Sequence, residues 1–174
     1  MSKKFRFLLL DANIVIELHR LNLWKKVVEK CEILLPETVI AESKFVWQDE
    51  DRMKIDLEPD LSAGRIRKLS CEAAALAKFK SQFDPTYLER LDPGESEALT
   101  YLTTQSENHF LCSADAIVYK VLGRLRLSHQ GISLEEILVA IGLGRRVDWQ
   151  FSAEFRNRYT KLGQKDGITD IGMK

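Results

Sequence analysis

The sequence predicts an α/β domain, a single unit in which a central, mostly parallel sheet is sandwiched between helical layers. Three observations carry that prediction. Short apolar runs alternate along the chain with runs whose apolar residues recur at helical spacing. The strand-like runs are too uniformly apolar to have one face in water. The 174 residues, 45% hydrophobic and 30% charged, have the composition of an ordinary globular domain with a sizeable core.

In chain order, Phe5–Leu10 is apolar except for Arg6 and reads as a strand buried on both faces, ending at Asp11. Asn13–Arg20 places Ile14, Leu18 and Leu21 on one helical face, and Leu23, Trp24, Val27 and Val28 continue on a second short helix. Cys31–Leu35 reads as the second strand. Pro36 stops it and opens a helix over Glu37–Phe45, at a position where a missing N–H costs nothing. Residues 46–64 are polar, acidic and irregular, and Arg65–Leu69 alternates as a strand. Ser70 is expected to cap a helix through Phe83, Asp84-Pro85 to start a short helix to Leu91, and Asp92-Pro93-Gly94 to form a turn before a helix over Glu95–Gln105. His109–Cys112 reads as a third buried strand, Ala114–Leu125 as a helix, and Arg126–His129 as a short fourth strand. Ser133, with Glu135 and Glu136 in the first turn, caps a helix through Leu143. Leu8–Leu10, Ile33–Leu35 and Phe110–Cys112 are expected to be inner strands. Residues 1–145 form the domain and 146–174 a helical or flexible tail. Its aromatics, Trp149, Phe155 and Tyr159, are expected to pack it onto the domain, with the last ten or so residues weakly ordered.

Several function classes fall away on composition. Apolar runs such as Phe7–Leu10 are far too short to span a bilayer, and the basic start Met1–Lys4 is followed by no signal-peptide core, so a cytoplasmic, membrane-free protein is expected. Cys31, Cys71 and Cys112 have no paired spacing, and His19, His109 and His129 no ligand spacing, which argues against zinc, redox and triad chemistry. There is no glycine-rich phosphate loop. Net charge is zero, but residues 32–60 hold nine acids against three bases, and from Lys120 onward ten bases face six acids.

Four carboxylates stand out by position. Asp11 and Asp115 follow the first and third buried strands, and ligands gather at the carboxyl ends of strands in parallel sheets. Glu42 lies within an otherwise apolar helix, and Glu95 opens a helix after a Pro-Gly turn. Each has a structural role available as a cap or dipole partner. Together they form a set of hard oxygen donors suited to Mg²⁺ or Mn²⁺, and converging carboxylates without a cation would raise one another's pKa.

The order of these residues resembles the PIN domain family of nucleases. Leu8-Leu9-Leu10-Asp11-Ala12-Asn13 is similar to its opening strand and helix, and Leu35-Pro36-Glu37-Thr38-Val39-Ile40-Ala41-Glu42 to its second motif. Gly94-Glu95-Ser96-Glu97-Ala98 resembles its third, and Cys112-Ser113-Ala114-Asp115 its fourth. The resemblance implies catalytic, metal-binding carboxylates at Asp11, Glu42, Glu95 and Asp115, with Asn13 and Ser113 supporting and Glu97 in reserve for Glu95. It also implies divalent-metal-dependent hydrolysis of RNA phosphodiester bonds, in which the metal activates water. The protein is then a ribonuclease, such as the toxin of a toxin–antitoxin pair held by an antitoxin-like partner, and a homodimer is compatible. Arg124, Arg126, Arg145 and Arg146 are candidate RNA contacts. The competing class is a PIN-fold module that binds protein or RNA with little catalysis.

Overall fold

The computed structural model describes residues 5–48, 50–105 and 108–174; the basic start Met1–Lys4 and Asp49 of the acidic stretch lie outside them. It is an α/β structure built on a four-stranded parallel sheet flanked by helices, which is compatible with the three-layer sandwich expected. The strands are β1 (Phe5–Leu10), β2 (Cys31–Pro36), β5 (Ile66–Leu69) and β6 (Phe110–Cys112), in the order β5-β2-β1-β6. A separate antiparallel hairpin joins β3 (Phe45–Gln48) to β4 (Asp51–Lys54).

Alternation along the strands divides the core. Leu8 and Leu10 of β1, with Ile33 and Leu35 of β2, pack on one face against α1 (Ala12–Arg20), α2 (Trp24–Lys30) and α8 (Leu134–Ala140). Leu9 and Leu34 face the other way, toward α5 (Ala73–Ser81), α6 (Pro93–Thr104) and α7 (Ala116–Arg124). Both faces are dry, which is why the strands read as continuous apolar runs rather than alternating ones. A bulge interrupts the β1–β2 register between Phe5 and Leu8, and there Phe7 takes a left-handed φ of 56°.

Several expectations are corrected. Phe110–Cys112 is an edge strand, not an inner one; its outer side takes only an isolated parallel bridge from Leu111 to Gly131. That bridge and the covering helices keep Leu111 and Cys112 buried all the same. Arg126–His129 is not a strand, because Arg126 turns through φ 62° into a 3₁₀ turn at Ser128–Gln130. The supposedly irregular 46–64 stretch contains the hairpin and α4 (Glu58–Ser62), and α3 (Glu37–Glu42) ends before Phe45, which begins β3. Residues 85–90 are turns rather than a helix, and α5 starts from Glu72 rather than Ser70.

The tail is helical and packed. α9 (Ala153–Ile168) crosses α7 where Gly123 and Gly163 let the backbones touch; a Cβ on Gly163 would lie 1.9 Å from the Lys120 carbonyl oxygen. Trp149, Phe155 and Tyr159 cluster edge to face, and Phe155 reaches Tyr119. The expected weak order of the last residues gives way to backbone pairing: the Asp84 N–H donates to the Gly172 carbonyl, and the Lys174 N–H to that of Gln82. Among the described residues, no helix is long and apolar enough to cross a membrane.

Candidate functional site

β1 and β6 are neighbours in register, Leu10 opposite Cys112, so the residues following them meet. Asp11 is the N-cap of α1, its Oδ1 accepting from the Ile14 N–H at 2.8 Å. Its other oxygen crosses to the β6 side, where Oδ2 accepts from Ser113 Oγ at 2.5 Å and from the Ala114 N–H at 3.1 Å. The cap and the site are therefore one side chain performing both roles. Ser113 Oγ also accepts from the Asp115 N–H at 2.9 Å, and Asp115 caps α7 through the Ile117 N–H at 3.2 Å.

Glu95 arrives from a different element. Asp92, Pro93 and Glu95 form a capping box at the start of α6: Asp92 Oδ1 accepts from the Glu95 N–H at 2.8 Å, and Glu95 Oε2 from the Asp92 N–H at 3.2 Å. Gly94 lets this helix start lie against α3, since a Cβ there would fall 2.9 Å from Val39 Cγ2 and 3.0 Å from Thr38 Oγ1. The remaining Glu95 oxygen, Oε1, then stands 3.4 Å from Ser113 Oγ. Ser113 has one hydroxyl hydrogen, and the shorter contact assigns it to Asp11, with Glu95 Oε1 the more distant acceptor.

Burial, then the negative charges of Asp92, Asp115 and Asp11, push the Glu95 carboxyl up to about 9. Burial likewise raises Asp11 to about 6 in spite of its Ser113, Ile14 and Ala114 hydrogen bonds, with Asp92 adding to the rise. None of the ion pairs among the described residues reaches Asp11, Glu95 or Asp115.

The predicted residues thus separate. Asp11, Glu95, Ser113 and Asp115 come together. Glu42 is exposed at the end of α3 and is tied to the group only through the charge of Asp92, which together with partial burial raises its pKa. Glu97 faces away from Ser113, toward the charges of Glu37 and Glu42, and Asn13 is exposed on α1. Among the candidate RNA contacts, Arg124 is spent on the end of α9, where its guanidinium meets the Ile171 carbonyl and Asp170, whereas Arg126, Arg145 and Arg146 are exposed.

Sequence reasoning missed three contributors. Asp92 read as a turn residue, although Asp-x-x-Glu before a helix is itself the capping-box signal. Tyr119 read as core, but its fully buried hydroxyl accepts from the Ser113 N–H at 3.2 Å and lies 2.9 Å from the Ser113 and Ile132 carbonyls, which pins the β6 turn. Arg90 sits beside Tyr87, Asp115, Lys120 and Tyr159 in a cleft of about 360 Å³. A larger cleft of about 840 Å³, by His19, Trp24 and Asp60, contains none of the predicted site residues.

Among the described residues, no three His, Cys, Asp or Glu side chains stand close enough to hold a metal ion. The donor set nevertheless fits a hard divalent cation in kind, being carboxylate oxygens with no basic partner. In place of a cation, Asp11 and Glu95 are held by Ser113 and by their own helix caps. No protein-family model, no curated protein and no solved structure matches the chain.

Proposed function

We propose that the chain is a divalent-metal-dependent ribonuclease of PIN-like type, with its centre at Asp11, Glu95 and Asp115 and with Asp92 and Glu42 at the rim. One observation carries the reading. Two buried carboxylates from different elements meet on one serine hydroxyl at the ends of adjacent parallel strands, with Asp92 and Asp115 adding negative charge and, among the described residues, no ion pair to Asp11 or Glu95. A structural network would place an Arg or Lys there, because isolated buried charge is costly.

As placed, Asp11, Glu95 and Asp115 do not stand close enough to hold an ion; drawn together they would hold Mg²⁺ or Mn²⁺, which would supply an activated water and a counter-charge for the phosphoryl oxygens. The chain's own share is positional. Asp11 fixes the distance between the β1 and β6 ends through Ser113 and Ala114. Tyr119 holds the Ser113 backbone, and the Asp92 cap aims Glu95 at the same point. Arg90 and Lys120 share the cleft with Asp115, where they favour binding of a phosphate next to the one cleaved.

The test is hydrolysis of mixed RNA substrates with and without Mn²⁺. Wild type is expected to cut only with metal, and Asp11→Asn to lose at least ~100-fold in rate, the scale on which removal of one charge-stabilising group acts. RNA binding without any metal-dependent cutting would instead favour the binding-module reading.

A further inference from the structure

The β3–β4 hairpin has two unlike faces. Cross-strand pairs share a face, so Phe45↔Lys54 and Trp47↔Arg52 lie on one side, and Val46, Met53 and Asp51 on the other. Val46 is buried in the core beneath the second face and anchors the hairpin. The first face is open, with Trp47 63% and Phe45 41% exposed. Arg52 lies flat on Phe45, its guanidinium carbon 3.7 Å from the ring centroid. Among the described residues neither Arg52 nor Lys54 makes an ion pair. Asp51 belongs to the opposite face, so the charged residues paired on the aromatic side, Arg52 and Lys54, are both cations, with Glu50 in the connecting turn.

We propose that this face, Phe45, Trp47, Arg52 and Lys54, is a binding platform for single-stranded nucleic acid. The Trp47 indole and the Arg52 plane stacked on Phe45 offer two flat surfaces, set by residues two apart along β3 at roughly 6.6 Å, for neighbouring bases. The unspent N–H donors of Arg52 and the Lys54 ammonium meet the backbone phosphates. A second copy of the chain fits less well. Two four-residue strands make a face about 13 Å long and roughly 10 Å wide, on the order of 100–200 Å², far short of the roughly 800 Å² per partner that a stable dimer buries. A duplex would hide the bases that the aromatics need. The proposal does not depend on the carboxylate centre being catalytic.

The full-length protein in EDTA, where metal-dependent cutting is stopped, is titrated into a short fluorescent oligouridylate, and binding is read as anisotropy and as quenching of tryptophan fluorescence. Trp47→Ala is expected to weaken binding about tenfold and to remove most of the quenching, whereas Trp47→Phe keeps most of the affinity. Arg52→Ala is expected to make the salt dependence shallower by about one counterion. A matching duplex should compete poorly. Because Trp47 is exposed, these variants fold, which circular dichroism verifies. Wild-type affinity in both Trp47→Ala and Arg52→Ala would overturn the proposal. So would a Trp47-dependent dimer in size-exclusion chromatography with no effect on the oligonucleotide, since that would assign the face to a second copy. Loss of RNA cutting in Asp11→Asn with this binding intact separates the fate of the nuclease reading from that of the platform.

Discussion

Two capping boxes in this molecule have the same local design and opposite electrostatics. At the start of α8, Ser133 and Glu136 cap each other, and Glu136 also receives Arg156 from α9 through two hydrogen bonds of 2.8 and 2.7 Å. Burial pushes the Glu136 carboxyl up, but Arg156 and Ser133 together outweigh it and the pKa falls. At the start of α6, Asp92 and Glu95 make the same box without an ion pair, and burial, reinforced by three aspartates, drives Glu95 up instead. Geometry alone would call both boxes stabilising. Their surroundings show that the α8 box is completed by its partner, whereas the α6 box contains a carboxyl whose pKa burial and neighbouring aspartates raise.

Neutralising the two glutamates should therefore act in opposite directions. Glu136→Gln loses the charge-assisted bonds to a mostly buried Arg156, at a cost of about 2 kcal/mol, or roughly 4–8 °C in thermal melting near pH 7. Glu95→Gln keeps the cap and removes the cost of binding a proton on folding, so its melting temperature at pH 8 should equal or exceed that of wild type. A loss there as large as in Glu136→Gln would erase the contrast between the boxes.

The same contrast appears against pH. Glu95, raised from an ordinary 4.5 to about 9, contributes stability that is complete below the lower value and is lost as pH rises through the higher one. Asp11, raised from 3.8 to about 6, loses its share earlier on the same climb. Glu136, whose pKa is depressed, contributes above its ordinary 4.5 and loses that share as pH falls through its native value. Metal-free wild type should thus lose stability steadily between about pH 4 and 9. Asp11→Asn is expected to flatten the lower part of that fall, Glu95→Gln the upper part, and Glu136→Gln neither, as read from denaturant melts across the range.

Smaller effects grade the periphery of the site. Tyr119→Phe leaves the Ser113 backbone without a buried partner and should cost about 1–2 kcal/mol, with faster hydrogen exchange at Ser113. Glu42→Gln and Glu97→Gln, away from the Ser113 contacts, are expected to stay within about 0.5 kcal/mol of wild type.

The pattern of what was legible in the sequence follows from which signals are local. Leu8–Leu10 and Ile33–Leu35 announced themselves because both sheet faces are covered, and Asp11 and Asp115 because they lie just past the carboxyl ends of strands. The edge position of Phe110–Cys112 was not legible, since Gly131 and the helices hide it from water as well as another strand would. The hairpin escaped notice because Phe45, Trp47 and Met53 face solvent, so no buried alternation marks it. Asp92 looked like a turn and Tyr119 like core; their roles exist only once α6 and α7 bring them to Ser113.

The proposal that Asp11, Glu95 and Asp115 hold a divalent cation is tested most directly by thermal melting against Mn²⁺ concentration. Wild type should melt higher as Mn²⁺ is added, by about 2.7 kcal/mol, or some 5–10 °C, at a hundredfold excess over the dissociation constant. Glu136→Gln should show the same increment from a lower start. Asp11→Asn, which still caps α1, should show little or none at equal or higher metal-free stability. A wild-type melting temperature indifferent to Mn²⁺, or an Asp11→Asn protein that responds as fully as wild type, would contradict the assignment.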